Sequence, residues 1–135
     1  MAIDQSGNVW VANYEGNGIS EISSTGMVLS NGGFTSASLD HPQSVVIDGE
    51  GTVWICSYRD GSLTELAGSA STKPGAVLSP DSGLGADANL IEAFAIAVDA
   101  SGNLWVSNRA SNTLTEFVGI TSPVRTPLIG PAVAP

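Results

Sequence analysis

Few residues of this 135-residue chain are suited to catalysis. It has a single histidine, His41, and a single cysteine, Cys56. A Ser–His–Asp triad would have to use His41, and no nucleophile-elbow motif is present to place the serine. One histidine and one cysteine supply too few ligands for zinc, and no glycine-rich phosphate loop precedes a lysine. We therefore expect no catalytic residues and no cofactor, and a divalent cation such as calcium is kept as an alternative.

The candidates for ligand binding are side chains that offer aromatic surface, charge and hydrogen-bonding groups. Arg59 and Arg109 are two of only four cationic side chains, and guanidinium groups suit polar or anionic ligands. The alternative is that these arginines offset neighbouring acids such as Glu15 and Asp60. Together with residues that the repeat described below places near them, the candidate ligand-binding set is Tyr14, His41, Tyr58, Arg59, Glu92, Asn108 and Arg109.

These candidates lie within a sequence repeat that occurs three times. The segment "DQSGNVWVANYEGN" from Asp4 resembles "DASGNLWVSNRASN" from Asp99, and "DGEGTVWICSYRDG" from Asp48 is the middle copy. The offsets between copies are 44 and 51 residues, without a gap from the aspartate to the end of the third strand-like segment, which is "ISEI", "LTEL" or "LTEF". All three tryptophans, Trp10, Trp54 and Trp105, occupy the same repeat position. Self-similarity at such a period is typical of propellers and other repeat arrays.

Each copy predicts short antiparallel strands. In the middle copy, "SVVID", "TVWICS" and "SLTEL" are rich in β-branched and aromatic residues and are separated by turn residues. The Asp48 carboxylate can accept backbone hydrogen bonds two or three residues on, and Gly51 can take a positive φ, so Asp-x-x-Gly predicts a tight hairpin. A fourth segment follows each trio: "GMVLS" from Gly26, "GAVLS" from Gly75 and "SPVRTPL" from Ser122. The prediction is an all-β fold of three four-stranded antiparallel sheets, without a helix.

The full motif is hydrophobic–Asp–x–x–Gly–[Asn/Thr]–hydrophobic–Trp–[Val/Ile]–x–[Asn/Ser]. It resembles the repeat of NHL-type β-propellers and the wider group that includes virginiamycin B lyase-like propellers. The resemblance implies one partial propeller domain with blade 1 at about 1–30, blade 2 at about 43–79 and blade 3 at about 94–129. Lyase sites of this group rely on a metal, on histidines and on a glutamate. With one histidine in the chain, the resemblance implies the scaffold rather than that activity, and His41 and Glu92 are the residues that any surviving activity would use.

A propeller meander places the loops of its blades on two faces. The Asp-x-x-Gly hairpins share one face, the hairpin face. The turns between second and third strands share the other, the loop face, with the crossings between blades. Residues that recur in every copy serve the scaffold, so the tryptophans are expected to pack between blades, and Cys56, which matches Ala12 and Ser107, is expected to fill a small buried slot. Residues that vary on the loop face are the candidates for binding.

Three blades do not complete a propeller, whose rings have about four to eight. An open row would leave an apolar sheet face at each end, which stable monomers rarely do. We therefore expect further blades, either from a second copy of the chain or from a missing amino-terminal segment. The proline-rich end "TPLIGPAVAP" favours the reading of a carboxy-terminal three-blade part.

The net charge and the lengths of the apolar runs limit the classes of partner that we expect. Thirteen acids against four bases give a net charge of -9, which disfavours nucleic acid. No apolar run approaches the roughly 20 residues that span a bilayer, so membrane insertion is not expected. The lysine-poor composition and the resemblance favour an extracellular or bacterial cell-envelope location, although no export signal is visible. The expected function is non-enzymatic binding of a protein, glycan or other polar ligand through the loop face. The alternative is part of a metal-dependent lyase or lactone hydrolase.

Overall fold

The computed structural model describes residues 1–124, which form nine strands in three antiparallel sheets. The first sheet holds β1 (Ala2–Ile3), β2 (Val9–Asn13) and β3 (Gly18–Ile22). The second holds β4 (Pro42–Ile47), β5 (Val53–Ser57) and β6 (Leu63–Leu66). The third holds β7 (Ala93–Val98), β8 (Leu104–Asn108) and β9 (Thr113–Phe117). One turn of 3-10 helix, Ala86–Ala88, is the only helical segment in this part of the chain.

The sheets lie next to one another as blades of an incomplete ring. Within each sheet the strands follow chain order, and the first strands are neighbours, β1 beside β4 and β4 beside β7. The central strands β2 and β5 pack against the first strand of the following sheet. The all-β class and the incomplete propeller predicted from the sequence are confirmed.

The fourth strand of each blade is where the prediction needs correction. The segments after β3 and β6 form only isolated bridges, Val28 with Ile22 and Val77 with Leu66. Their apolar side chains remain exposed, so little burial holds a longer ladder in place. Blades 1 and 2 therefore have three strands and a bridged edge segment. The corresponding segment of blade 3 lies mostly outside the described residues.

The Asp-x-x-Gly hairpins are built alike in all three blades. The Oδ1 atoms of Asp4, Asp48 and Asp99 each accept hydrogen bonds from backbone N–H groups two and four residues on, at 2.8–3.0 Å. The Oδ2 atom of each aspartate accepts a hydrogen bond from the indole Nε1 of the tryptophan of the same blade, at 3.1–3.2 Å. The carboxylate therefore closes the hairpin and fixes the tryptophan together.

Two hydrophobic cores lie between neighbouring blades. Trp10 and Ile19 of blade 1 share one core with Val53 and Ile55 of blade 2. The other core holds blade 2 residues such as Trp54, Cys56 and Leu63 together with blade 3 residues, chief among them Leu104 and Val106. The expected packing of Trp10 and Trp54 is confirmed. Cys56 is fully buried, and burial raises the pKa of its thiol to about 11, so it fills a slot and is not an activated nucleophile.

Candidate functional site

Equivalent residues of the three blades form a continuous line on the loop face. Tyr14, Tyr58 and Arg109 each follow the central strand of their blade directly. The rings of Tyr14 and Tyr58 meet edge to face, with centroids 6.0 Å apart. The Nη1 atom of Arg109 donates a hydrogen bond of 3.0 Å to the Tyr58 hydroxyl. Two tyrosines and an arginine at one repeat position therefore contact one another in sequence across three blades.

A second pair of equivalent residues joins this line from the crossings between blades. His41 and Glu92 immediately precede β4 and β7. The carbonyl of His41 accepts the backbone N–H of Tyr58 at 3.0 Å, and that of Glu92 accepts the N–H of Arg109 at 3.1 Å. The His41 ring meets Tyr14 edge to face, with centroids 4.7 Å apart. We call Tyr14, His41, Tyr58, Glu92 and Arg109 the loop-face strip.

The backbone of His41 and Glu92 adopts a left-handed conformation. Their φ angles are 57° and 51°, and the other four non-glycine residues with positive φ in the described part of the chain are all asparagines. Asparagine tolerates this region, whereas the longer glutamate side chain does so at a cost of about 1–2 kcal/mol. Strained residues of this kind concentrate at functional sites. Two of the residues chosen from sequence are therefore held in an unfavourable backbone conformation.

The charges within the strip are balanced. The Arg109 Nη1 atom lies 3.9 Å from Glu92 Oε2, so Glu92 is its partner, not Glu15 or Asp60. A hydrogen bond to Glu92, followed by burial and the charge of the same carboxylate, raises the pKa of Tyr58. The Nδ1 atom of His41 lies 2.6 Å from Asp40 Oδ1. The strip thus presents aromatic edges and hydrogen-bonding groups without an unpaired cation, which suits a neutral polar ligand better than an anion.

Two of the seven candidate residues stand apart from the strip. Arg59 is exposed, and its backbone N–H donates a hydrogen bond of 3.3 Å to the Asp40 carbonyl. Asn108 is 2% exposed and its Nδ2 atom donates to the hydroxyls of Thr113 and Thr115 at 3.2 and 2.9 Å. The Oδ1 atom of Asn108 has no partner within residues 1–124. Asn108 therefore holds blade 3 together from inside.

Asn17 and Asp40 support the strip and were not among the sequence candidates. Asn17 Oδ1 accepts the backbone N–H of His41 at 2.8 Å, and Asp40 holds the imidazole. Asn17 occupies the same repeat position as Gly61 and Asn112, all with positive φ. The recurrence of asparagine or glycine at this position is the sequence signal that could have identified Asn17. For Asp40, the only sequence signal was its position next to His41.

The loop-face strip does not line the two larger depressions found among residues 1–124. Two shallow depressions of about 450 and 340 Å³ lie on the hairpin face. The larger is lined by Asp4, Asp48 and their neighbours and the smaller by residues that include Glu50 and Ala67, and none of the seven candidates lines either. A ligand of the loop-face strip would therefore bind outside these two depressions.

The side chains of residues 1–124 do not form a cluster that fits a metal ion. Within residues 1–124, no three His, Cys, Asp or Glu side chains come together in a geometry that could hold an ion. The single histidine is engaged by Asp40. The described segment also contains no helix long and apolar enough to cross a membrane.

Solved structures reveal what the fold is similar to. Virginiamycin B lyase from Staphylococcus aureus is 16% identical, with a TM-score of 0.56 over 89% of this chain and 40% of the lyase. A streptogramin B lyase is 17% identical, with a TM-score of 0.56 over 90% of this chain and 40% of that one. The chain is a partial β-propeller.

A third solved structure is similar at a lower TM-score, and the sequence searches found no match. The extracellular domain of a hybrid two-component system from B. thetaiotaomicron is 16% identical, with a TM-score of 0.52 over 86% of this propeller and 16% of that chain. The sequence matches no protein-family model and no curated protein. At these identities the likeness concerns the fold alone, and the chain spans about 40% of the length of the lyases.

Proposed function

We propose that this propeller segment is a non-enzymatic binding module whose loop-face strip binds a polar ligand, with a neutral glycan as the first candidate. The observation that carries the proposal is the unbroken contact from Tyr14 through Tyr58 to Arg109 between equivalent positions of three blades. A repeated frame with varied side chains is how propellers and other repeat proteins build binding surfaces.

A glycan fits the chemistry of the strip. Tyrosine combines an apolar ring with a hydroxyl, and both kinds of surface occur on a sugar. Glu92 supplies an acceptor and Arg109 supplies donors, and the two charges are paired. An extended ligand also suits an open surface better than a small molecule that needs enclosure. On such a surface we expect affinities on the order of millimolar to micromolar.

The two tyrosines permit a direct test. The chain contains two tyrosines in all, Tyr14 and Tyr58, and both belong to the strip. Labelling with 3-fluorotyrosine therefore gives two ¹⁹F resonances, both of which report on the proposed site. Titration with cellotetraose, xylotetraose and chitotetraose should shift both resonances for at least one sugar. If neither resonance moves at millimolar sugar with any of the three, the glycan proposal is wrong.

A Glu92→Asn variant separates binding from stability. Asparagine accepts the left-handed backbone of this position, which returns about 1 kcal/mol, while the exposed ion pair that is lost contributes about 0–1 kcal/mol. The unfolding free energy should therefore stay within about 1 kcal/mol of the parent, whereas the loss of the carboxylate acceptor should weaken sugar binding at least about tenfold. An Asp81→Asn variant, at an exposed position that is not part of the strip, is the control for the loss of a carboxylate and should change neither.

The similarity to lyases favours one second candidate, part of a metal-dependent lyase or lactone hydrolase. His41 and Glu92 would be the residues used. A ligand present at a hundred times its Kd stabilises the folded state by about 2.7 kcal/mol, so a calcium titration followed by thermal melting discriminates. Under our proposal the melting temperature does not rise. A rise that His41→Ala abolishes would favour the enzyme.

We also propose an extracellular or cell-envelope location. Support comes from the lysine-poor, acidic composition and from the structural likeness to an extracellular domain. Mass spectrometry of cell fractions from the source organism would test it, and recovery in the cytosolic fraction alone would contradict it.

A further inference from the structure

The two ends of the row of blades carry apolar residues that are more exposed than their equivalents inside the row. On blade 3, Leu114 is 62% exposed, whereas its equivalents Ile19 and Leu63 are fully buried. Trp105 is half-buried, whereas Trp10 and Trp54 are buried. We call this surface, centred on Trp105 and Leu114, the leading face.

Blade 1 carries the opposite kind of face. Val9 and Val11 of its central strand alternate with Trp10 and point to the other side of the sheet. They are half-buried, whereas their equivalents Val53 and Ile55 are fully buried. Ile3, at 68% exposed, completes this surface, which we call the following face.

The interfaces inside the row show what covers each face. Between blades 1 and 2, Trp10 and Ile19 share a core with Val53 and Ile55. Between blades 2 and 3, Trp54 and Leu63 share a core with Leu104 and Val106. A leading face thus packs on a following face in both cases. The leading face of blade 3 and the following face of blade 1 are therefore complementary by the same rule.

The hydrogen bonds across the blade interfaces obey that rule too. Asp4 Oδ2 accepts a hydrogen bond from the Ser69 hydroxyl of blade 2, and Asp48 Oδ2 accepts the backbone N–H of Ser122 of blade 3 at 3.2 Å. Asp99, by contrast, accepts only from its own blade among the described residues. Thr25 lies three residues after β3, as Ser69 lies three residues after β6, and it is exposed on blade 1. A second blade 1 would thus bring a hydroxyl to Asp99.

We propose that two copies of this chain pair through these faces, with blade 3 of each against blade 1 of the other. The pairing is two-fold symmetric and forms two equivalent interfaces, so it closes a ring of six blades, within the usual range of about four to eight. Each contact continues an interface already present twice in the chain. The proposal does not depend on the identity of any ligand.

Molecular mass in solution tests the pairing. Light scattering of the whole chain should give twice its 13.7 kDa mass. Because each chain carries a net charge of -9, added salt should screen the repulsion and strengthen the pairing. A monomer at every concentration and salt level overturns the proposal, since blades from elsewhere would then have to cover the faces. Species larger than two copies overturn ring closure.

A pair of variants tests which faces meet. Val11→Asp on the following face and Leu114→Asp on the leading face should each give monomers. An equal mixture of the two should form a heterodimer, because one of its two interfaces then joins two unaltered faces. A Val11→Asp chain that still pairs with itself, or a mixture that stays monomeric, overturns the proposal.

Control variants show whether a change in mass arises from the proposed interface. Val28 is 66% exposed on the bridged edge of blade 1, and its equivalent Val77 is also exposed, so Val28→Asp should leave the mass unchanged. If Val11→Asp does not fold, Ile3→Asp replaces it, since Ile3 is already largely exposed. Far-ultraviolet circular dichroism and a cooperative thermal transition establish that each variant is folded before its mass is interpreted.

Discussion

The aspartate and tryptophan of each repeat act as one unit at the level of residues. The Oδ1 atom of Asp48 accepts two backbone N–H groups and Oδ2 accepts Trp54 Nε1 and Ser122 N. All four contacts are donors, so the site requires an acceptor-only side chain. The constant spacing of six residues between aspartate and tryptophan in every copy is the sequence trace of this bond.

We predict that Asp48→Asn destabilises the chain by about 2–4 kcal/mol. Either orientation of the amide turns its NH₂ group toward hydrogen-bond donors, which leaves buried donors unsatisfied. Urea unfolding at neutral pH measures the change. The exposed Asp81→Asn is the control and should stay within about 0.5 kcal/mol. Equal stability of the two variants would contradict the proposed role of the carboxylate.

The equivalent carboxylate of blade 3 predicts a pH dependence. Hydrogen bonds from the backbone N–H of Asn103 and then from Trp105 lower the pKa of Asp99 from 3.8 to about 2. A lowered pKa contributes stability above the unfolded-state value, and that contribution is lost as the pH falls through the folded-state value. The difference in melting temperature between the parent and Asp99→Asn should therefore be constant above about pH 5 and shrink toward about pH 2. A difference that does not change over this range would be inconsistent with this account.

At the level of elements, the turns after the central strands fit the crossings that dock on them. Gly61 has a φ of 64°, and a Cβ atom there would lie 1.9 Å from the Leu90 carbonyl oxygen. Gly119 has nearly the same φ, 66°, but a Cβ atom there would meet nothing within 4 Å. A substitution at Gly119 therefore tests backbone strain alone, whereas one at Gly61 tests backbone strain together with a steric clash.

We expect Gly119→Ala to cost about 1 kcal/mol, which is the strain of a left-handed alanine. Gly61→Ala should cost about 2–4 kcal/mol, because the crossing must move as well. Chemical denaturation of both variants provides the comparison. Equal costs would show that the crossing does not press on the turn at Leu90.

Element-level prediction succeeded where residue spacing fixed the local hydrogen bonds. Asp48, Gly51 and Trp54 and their equivalents recur at constant offsets, and they predicted three sheets of antiparallel strands. The fourth strand failed because "GMVLS" has strand-like composition but lies at an exposed edge. Composition does not report how much of a segment will be paired.

The candidate site was also predictable only where the repeat determined the positions of its residues. Tyr14, Tyr58 and Arg109 share one repeat position, so their proximity followed from the fold. The position of Asn108 does not reveal that its amide is bound by Thr113 and Thr115 on the next strand. The left-handed backbone of His41 and Glu92 is also invisible in sequence, since no glycine or asparagine marks it.

At the level of the whole molecule, the burial of one repeated glutamate falls along the row of blades. Glu21 of blade 1 is buried, Glu65 of blade 2 is half-buried and Glu116 of blade 3 is exposed. Burial, followed by the charge of Asp48, raises the pKa of Glu65. This gradient reflects the number of blades that follow each position, as expected of an incomplete ring.

The tryptophans give the most direct test of this architecture. Labelling with 5-fluorotryptophan gives three ¹⁹F resonances, one for each blade, and Trp105→Phe identifies that of blade 3. In the Val11→Asp variant, where the end faces are unpaired, a soluble gadolinium chelate should strongly broaden the Trp105 resonance. The resonances of Trp10 and Trp54 should stay sharp. Equal broadening of all three resonances, or a protected Trp105 beside an accessible Trp10 or Trp54, would contradict a row of stacked propeller blades.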